Sequence, residues 1–402
     1  MNRRAFLVTS LATGIATSLH AQEKKPKRIL LRSSWQTVNI GDIAHTPGML
    51  TLLEKHLPGA EVTLWASKVD RGVEEILLAR FPKLVIAKTD EERKAALAAC
   101  DFFLHGSGPL LVGDDEVEMA LEAGKRYGIG GITLSDGAIR SQRKLFEAAK
   151  FVFLRDTDSM RALKASGITG PQVGFGPDAT FAIDLRDDAA AASLLKQHAM
   201  EPGKFLCAIP RLRWTPYWEI NPQKVKPNPE YIEVNEEFAE KDHAKLREGI
   251  TAWVRETKMR VLLTPEMTYQ VPLLKTLIHD KLPDDVKPHV RYMDRYWLTA
   301  EACSVYAQAA AVVSLEQHSP IMAIAAGVPA VLVRQPTDTR KGQMWYDLGM
   351  KDWVFEIDQS TGAQIAKRLV EIGRDLPAAR LAANKARTLA HKHMAEMIAA
   401  IL

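Results

Sequence analysis

One stretch narrows the possible folds of this 402-residue chain more than any other: Ala311 to Arg334, AVVSLEQHSPIMAIAAGVPAVLVR. Ala311 to Leu315 is a short apolar run of strand length. A polar loop follows, Glu316-Gln317-His318-Ser319-Pro320. Ile321 to Ala326 is small and apolar, the composition of a short buried helix. Gly327 ends it, because glycine takes the left-handed conformation after a helix at no steric cost. Val328-Pro329 turns the chain, and Ala330 to Val333 is a second strand. Strand, loop, helix and strand in this order cross over into a parallel sheet. Ser319 reads as the helix cap and Pro320 as the first helical position. In open parallel sheets ligands bind beyond the carboxyl ends of the strands, against helix N-termini. His318 falls at that point. The same pattern suits a buried, satisfied histidine at a helix start, and this unit alone does not choose between the two.

The N-terminus reads differently. Residues 1–21 hold Arg3-Arg4-Ala5-Phe6-Leu7, a twin-arginine pattern, then an apolar segment to Leu19 and a small residue, Ala21, suited to cleavage. The apolar segment is shorter than the roughly 20 residues a membrane span needs. The expectation is a twin-arginine export signal, a periplasmic mature chain and no stable membrane span. The chain carries 53 basic and 49 acidic side chains, a balance that gives no argument for nucleic acid. Its cysteines, Cys100, Cys207 and Cys303, form no C-x-x-C pair and argue against a disulfide framework.

From Arg28 onward strands and helices alternate. Several strand ends run into polar loops that feed helices. The first is Ser33 to Pro47, with Pro47 opening the helix. Others are His105-Gly106-Ser107-Gly108-Pro109, Arg155-Asp156 and Gly176 to Phe181. The pattern stops near Asp184. Residues 185–203 have the composition of a connector with a helical piece. A second series starts with Phe205 to Ile209 and reaches Pro210-Arg211-Leu212-Arg213. Residues 215–242 lack a clear period and read as a long surface loop before a helix at Ala244 to Thr257. The expected fold is α/β: a Rossmann-like domain over 27–184, a linker over 185–203, a second Rossmann-like domain over 204–376 and a closing C-terminal helix over 377–402. The two domains face a cleft in a GT-B-like arrangement.

Five motifs recur in a particular order and spacing. They are Asn39-Ile40-Gly41-Asp42, His105-Gly106-Ser107-Gly108, Leu154-Arg155-Asp156 with Ser159, Asp178-Ala179-Thr180-Phe181, and the region Ser314 to Pro329. Together they resemble the polysaccharide pyruvyl transferases, from about Arg28 to Ile357. The resemblance implies transfer of a pyruvyl group from phosphoenolpyruvate to a glycan acceptor, as a ketal, with no cofactor. Such a donor is a small trianion and needs Arg or Lys clamps and helix N-termini. Its methylene carbon must be protonated, work suited to histidine, and the sugar hydroxyls need a base. By resemblance His318 is the general acid, Arg155 clamps the donor, and Arg211 or Arg213 assists. Asp42 is the candidate for acceptor binding or base work. Asn39, Gly41, His105, Gly106, Glu316 and Ser319 complete the candidate binding residues. Asp42 and Asp178 suit helix capping equally well.

One position departs from the family. Two residues before the histidine the family carries an anion-binding arginine, and here Glu316 stands there. A carboxylate at that point repels a trianion. Two further readings therefore stand beside a transferase: a saccharide-binding protein without turnover, and a GT-B transferase with a different donor. His45, His105 and His318 with Asp42 could meet around a metal, but no short ligand spacing links them, and none is expected.

Overall fold

The structure, a computed structural model, describes residues 26–402. The export signal expected over residues 1–21 lies outside them. Two parallel sheets carry the chain. The first holds β1 (Arg28–Ser33), β2 (Glu61–Ala66), β3 (Val85–Ala87), β4 (Phe102–His105), β5 (Tyr127–Ile132), β6 (Phe151–Leu154) and β7 (Gln172–Phe175), ordered β3-β2-β1-β4-β5-β6-β7. The second holds β8 (Phe205–Ile209), β9 (Arg260–Leu263), β10 (Val290–Tyr292), β11 (Ala311–Ser314), β12 (Ala330–Arg334) and β13 (Val354–Glu356), ordered β10-β9-β8-β11-β12-β13. Strands β4, β8 and β11 are buried along their whole length, as a sheet covered on both faces requires. The strand order reverses between β1 and β4 in one sheet and between β8 and β11 in the other. The crevices of such folds open at these reversals.

The halves share one apolar cluster that runs from Ile29 to Ile401. The closing helix, Leu376–Ala399, returns to the first half. Phe175 meets His393 with ring centroids 5.1 Å apart. A Cβ on Gly130 would lie 2.7 Å from Met397 Sδ, so only a bare backbone admits that side chain. Lys27 Nζ donates to the Ile401 carbonyl at 2.7 Å.

The central unit forms as its sequence predicts at its far end. Gly327 has φ +76°, its amide donates to the Ile324 carbonyl at 2.8 Å, and the Val328 amide donates to the Ala323 carbonyl at 2.9 Å. Three expectations need correction. The first helix spans Ile40–His56, so Pro47 lies inside it rather than opening it. Gly48 follows, and a Cβ there would lie 2.1 Å from the Ala179 carbonyl, so Pro47-Gly48 marks a close approach, not a start. The stretch 215–242 is not a loop throughout. A helix over Pro229–Thr257 begins inside it, capped by Asn228. Its apolar period is broken because it buries polar groups: Asn235 exchanges hydrogen bonds with the Trp214 backbone at 2.9 and 2.8 Å, and Asp242 binds Arg213. The helix after β11 begins at His318, and Ser319 does not cap it. Among the described residues no helix is long and apolar enough to cross a membrane.

Candidate active site

The ends of β1, β4, β8, β9 and β11 converge on one seam. Asn39 caps the first helix, its side-chain oxygen accepting from the amides of Gly41 (2.7 Å) and Asp42 (3.3 Å). The Ile40 amide donates to the Glu266 carbonyl at 3.0 Å, and the Thr268 amide to the Val38 carbonyl at 3.1 Å. These bonds stitch the β1 loop of one half to the β9 loop of the other. Gly41 is glycine for space: a Cβ there would lie 2.2 Å from His318 Cγ.

His318 opens the helix after β11. Its Nδ1 lies 3.0 Å from Glu266 Oε1. The second Glu266 oxygen accepts from the amide and the hydroxyl of Ser319, both at 2.7 Å. The helix N-terminus, a natural seat for an anion, thus holds the protein's own carboxylate. Burial favours the neutral Glu266, but the bonds from His318 and Ser319 prevail and its pKa falls. Burial also disfavours a charged His318. The Glu266 bond and charge, with Asp178 and Asp42, outweigh it, and the imidazole pKa rises.

Asp178 is the hub on the facing side. Its Oδ1 lies 3.0 Å from His45 Nδ1, and Oδ2 accepts from Arg155 Nη1 at 2.7 Å. His318 Nε2 stands 3.9 Å from Oδ2. Burial pushes the Asp178 pKa up, yet His45, Arg155 and His318 hold it well below the usual carboxylate range. His45 Nδ1 also meets Ser107 Oγ at 2.9 Å, and the His45 and His318 rings are edge-to-face with centroids 5.1 Å apart.

Glu316 is buried beside them. Its Oε1 accepts from Gln270 Nε2 at 2.8 Å, and Oε2 lies 3.4 Å from Arg211 Nε. Arg211 Nη1 donates to Asp338 Oδ1 at 2.6 Å, and Lys341 Nζ lies 3.4 Å from the same oxygen. Two cations face two carboxylates. Burial lifts the Glu316 pKa to about 7, with Arg211 opposing and Glu266 adding to the rise.

The seam therefore brings together Asn39, Gly41, Asp42, Arg155, Arg211, Glu316, His318 and Ser319. Arg155 is fully buried, and its guanidinium is committed to Asp178, the Thr133 hydroxyl (2.8 Å) and the Pro109 carbonyl (3.5 Å). Arg213 lies apart, paired with Asp242 at 2.9 Å and with Asp358, its guanidinium 3.5 Å over the Phe238 ring. His105 Nε2 bonds the Val112 carbonyl at 2.7 Å, and burial lowers its pKa to about 4. Gly106 packs on Leu31, where a Cβ would lie 3.1 Å from Cδ1. Sequence reasoning missed Glu266, though Thr264-Pro265-Glu266 is a polar strand end of the kind that singled out His318. It also missed Gln270, in a single 3-10 turn over Thr268–Gln270, and Asp338, in a loop, neither of which carries a local signal.

A model of the polysaccharide pyruvyl transferase family matches residues 39–335. Comparison with curated protein sequences finds no match. The fold is similar to that of UDP-GlcNAc 2-epimerase from Neisseria meningitidis bound to UDP-GlcNAc, at 13% identity and TM-score 0.52 over 92% of this chain and 99% of that one. It is similar to S. aureus MnaA with UDP, at 11% identity and TM-score 0.57 over 93% and 95% of the two chains. Anabaena HepE in complex with UDP and glucose is similar at 12% identity and TM-score 0.54, over 92% and 97%. At these identities the likeness is one of fold, and it bears out the GT-B-like arrangement of two parallel sheets.

Proposed function

The chain belongs to the polysaccharide pyruvyl transferase family, and from that premise we propose that it transfers a pyruvyl group from phosphoenolpyruvate to paired hydroxyls of a glycan. One observation carries the reading: His318, anchored by a buried Glu266, stands at the seam against Asp42 of the other half. In this reaction the donor's methylene carbon takes a proton from His318. The adjacent carbon bonds one sugar oxygen, then a second as inorganic phosphate leaves. One hydroxyl proton restores His318, the other leaves with the phosphate, and Asp42 accepts a hydroxyl proton in transit. Arg211 and Lys341 supply the positive charge nearest to the donor.

A second reading is favoured by a specific observation. Asp338 and Glu316 already face Arg211 and Lys341, which leaves little charge for a trianion and suits a saccharide-binding protein or a less anionic donor. The Arg3-Arg4 leader supports export to the periplasm and a cell-envelope glycan as acceptor. Export would separate the protein from phosphoenolpyruvate, a cytosolic metabolite, which also favours the second reading. Incubating the protein with phosphoenolpyruvate and envelope glycan fragments tests the first. The expected product is a glycan bearing a pyruvate ketal, with release of phosphate, and neither should form with His318→Ala. Release of phosphate without a ketal would reject it.

A further inference from the structure

Asp42, His45 and His318 each offer a ligand atom, and these atoms lie within 4.8 Å of one another. We propose that the three side chains form a site for one divalent transition-metal ion of the zinc type.

Asp42 and His45 are three residues apart on the first helix and share a face, while His318 comes from the other half. Each imidazole is already anchored through Nδ1, His45 on Asp178 and His318 on Glu266, both at 3.0 Å. A carboxylate behind the ring fixes its orientation and leaves Nε2 to bind, as in metal-ligating histidines. His45 is fully buried, and its Nε2 has no hydrogen-bond partner among the described residues. Such an atom is rare unless something else satisfies it. Gln36 Nε2 donates to Asp42 Oδ2 and holds that carboxylate in place. Of the carboxylates around the cluster, Asp178 pairs with the Arg155 guanidinium, whereas Asp42 and Glu266 meet no guanidinium or ammonium group within ion-pair distance among the described residues. Two carboxylates are thus in excess, and one dication balances them.

The dimensions suit a metal. With separations of at most 4.8 Å, one central point lies no more than about 2.8 Å from all three atoms. Reaching zinc-ligand lengths of about 2.0–2.2 Å needs movements below about 1 Å. Two nitrogens and one oxygen favour zinc or cobalt over magnesium and calcium, which take oxygen. A fourth position remains open. A cation on His318 removes the proton that transfer requires, so occupancy would inhibit it. That consequence rests on the transferase reading, and the binding does not.

The test is titration of chelator-treated protein with zinc chloride by calorimetry and with cobalt(II) by visible absorption. One ion per chain is expected, with binding weaker by roughly a hundredfold in His45→Gln and in Asp42→Asn. X-ray absorption on the zinc-loaded protein needs no variant and should show two imidazoles. No stoichiometric binding, binding unchanged in both variants, or a shell without imidazole would each overturn the site. Zinc binding, with no pyruvyl transfer by the chelator-treated, metal-free protein, would retain the site and reject the transferase reading, and transfer without zinc binding would do the reverse.

Discussion

Glu266 Oε1 lies 3.0 Å from His318 Nδ1, and that contact sets the ring that the second half of the chain presents to the first. The same residue accepts the Ser319 amide at the helix N-terminus and, through its carbonyl, the Ile40 amide across the seam. One residue therefore joins the orientation of the candidate acid, through its side chain, to the closure of the two halves, through its backbone.

Glu266→Gln keeps the size but leaves one side-chain acceptor where there were two. A partner on His318 or Ser319 then goes unmatched in a buried site. Breaking a buried charged pair costs about 3 kcal/mol or more, to be read as a lower urea midpoint at unchanged slope. A loss below about 1 kcal/mol would show that the contact is not a structural anchor.

Gly41→Ala separates helix propensity from packing. Alanine in place of a helical glycine ordinarily stabilises by about 1 kcal/mol. Here the new Cβ would meet the His318 ring at 2.2 Å, so a net loss of about 1–3 kcal/mol is expected. A raised melting temperature would contradict the close approach.

Acid should weaken the fold through two buried imidazoles. Burial lowers the pKa of both His105 and His243 to about 4, against about 6.5 for a free imidazole. A histidine depressed in the fold contributes stability that is complete above its unfolded pKa. That stability is lost as pH falls from about 6.5 through about 4. Urea melts at the two ends of this window should show the loss, and His243→Gln should reduce it. Equal stability at both ends would contradict the neutral, buried state.

Arg211 and Arg213 should separate in their effects. Arg213→Lys loses the fork that grips Asp242 and the stacking on Phe238. It should lower the melting temperature and leave phosphoenolpyruvate affinity within about twofold. Arg211→Lys should weaken that affinity. A calorimetric comparison in which Arg213→Lys alone affects binding would move the donor site.

Much of this was legible in the sequence. The parallel α/β halves followed from alternating apolar runs and from Gly327, whose left-handed turn only glycine makes cheaply. His318 and Asp42 stand out as candidates because strand-end loops at helix starts are where such folds bind, and the structure brings the two side chains to one seam. The placement of charge was not legible. The sequence offers Arg155 and Arg211 as donor clamps, but their partners Asp178 and Asp338 lie 23 and 127 residues away in the chain. No local pattern encodes such pairing. The helix over Pro229–Thr257 was hidden for a related reason, since the polar residues it buries serve Arg213 and Trp214 rather than a core.

The central claim is a family transfer site whose donor pocket is neutralised by Glu316. It is tested most directly by titrating phosphoenolpyruvate calorimetrically into chelator-treated protein and into Glu316→Gln and Glu316→Arg. At pH 8, above the Glu316 pKa of about 7, Glu316→Gln removes one negative charge while its amide oxygen can still accept from Gln270. Weak binding is predicted for the unaltered protein, binding roughly tenfold tighter for Glu316→Gln, and a gain of about 2 kcal/mol for Glu316→Arg. Failure of all three forms to bind phosphoenolpyruvate would contradict the account.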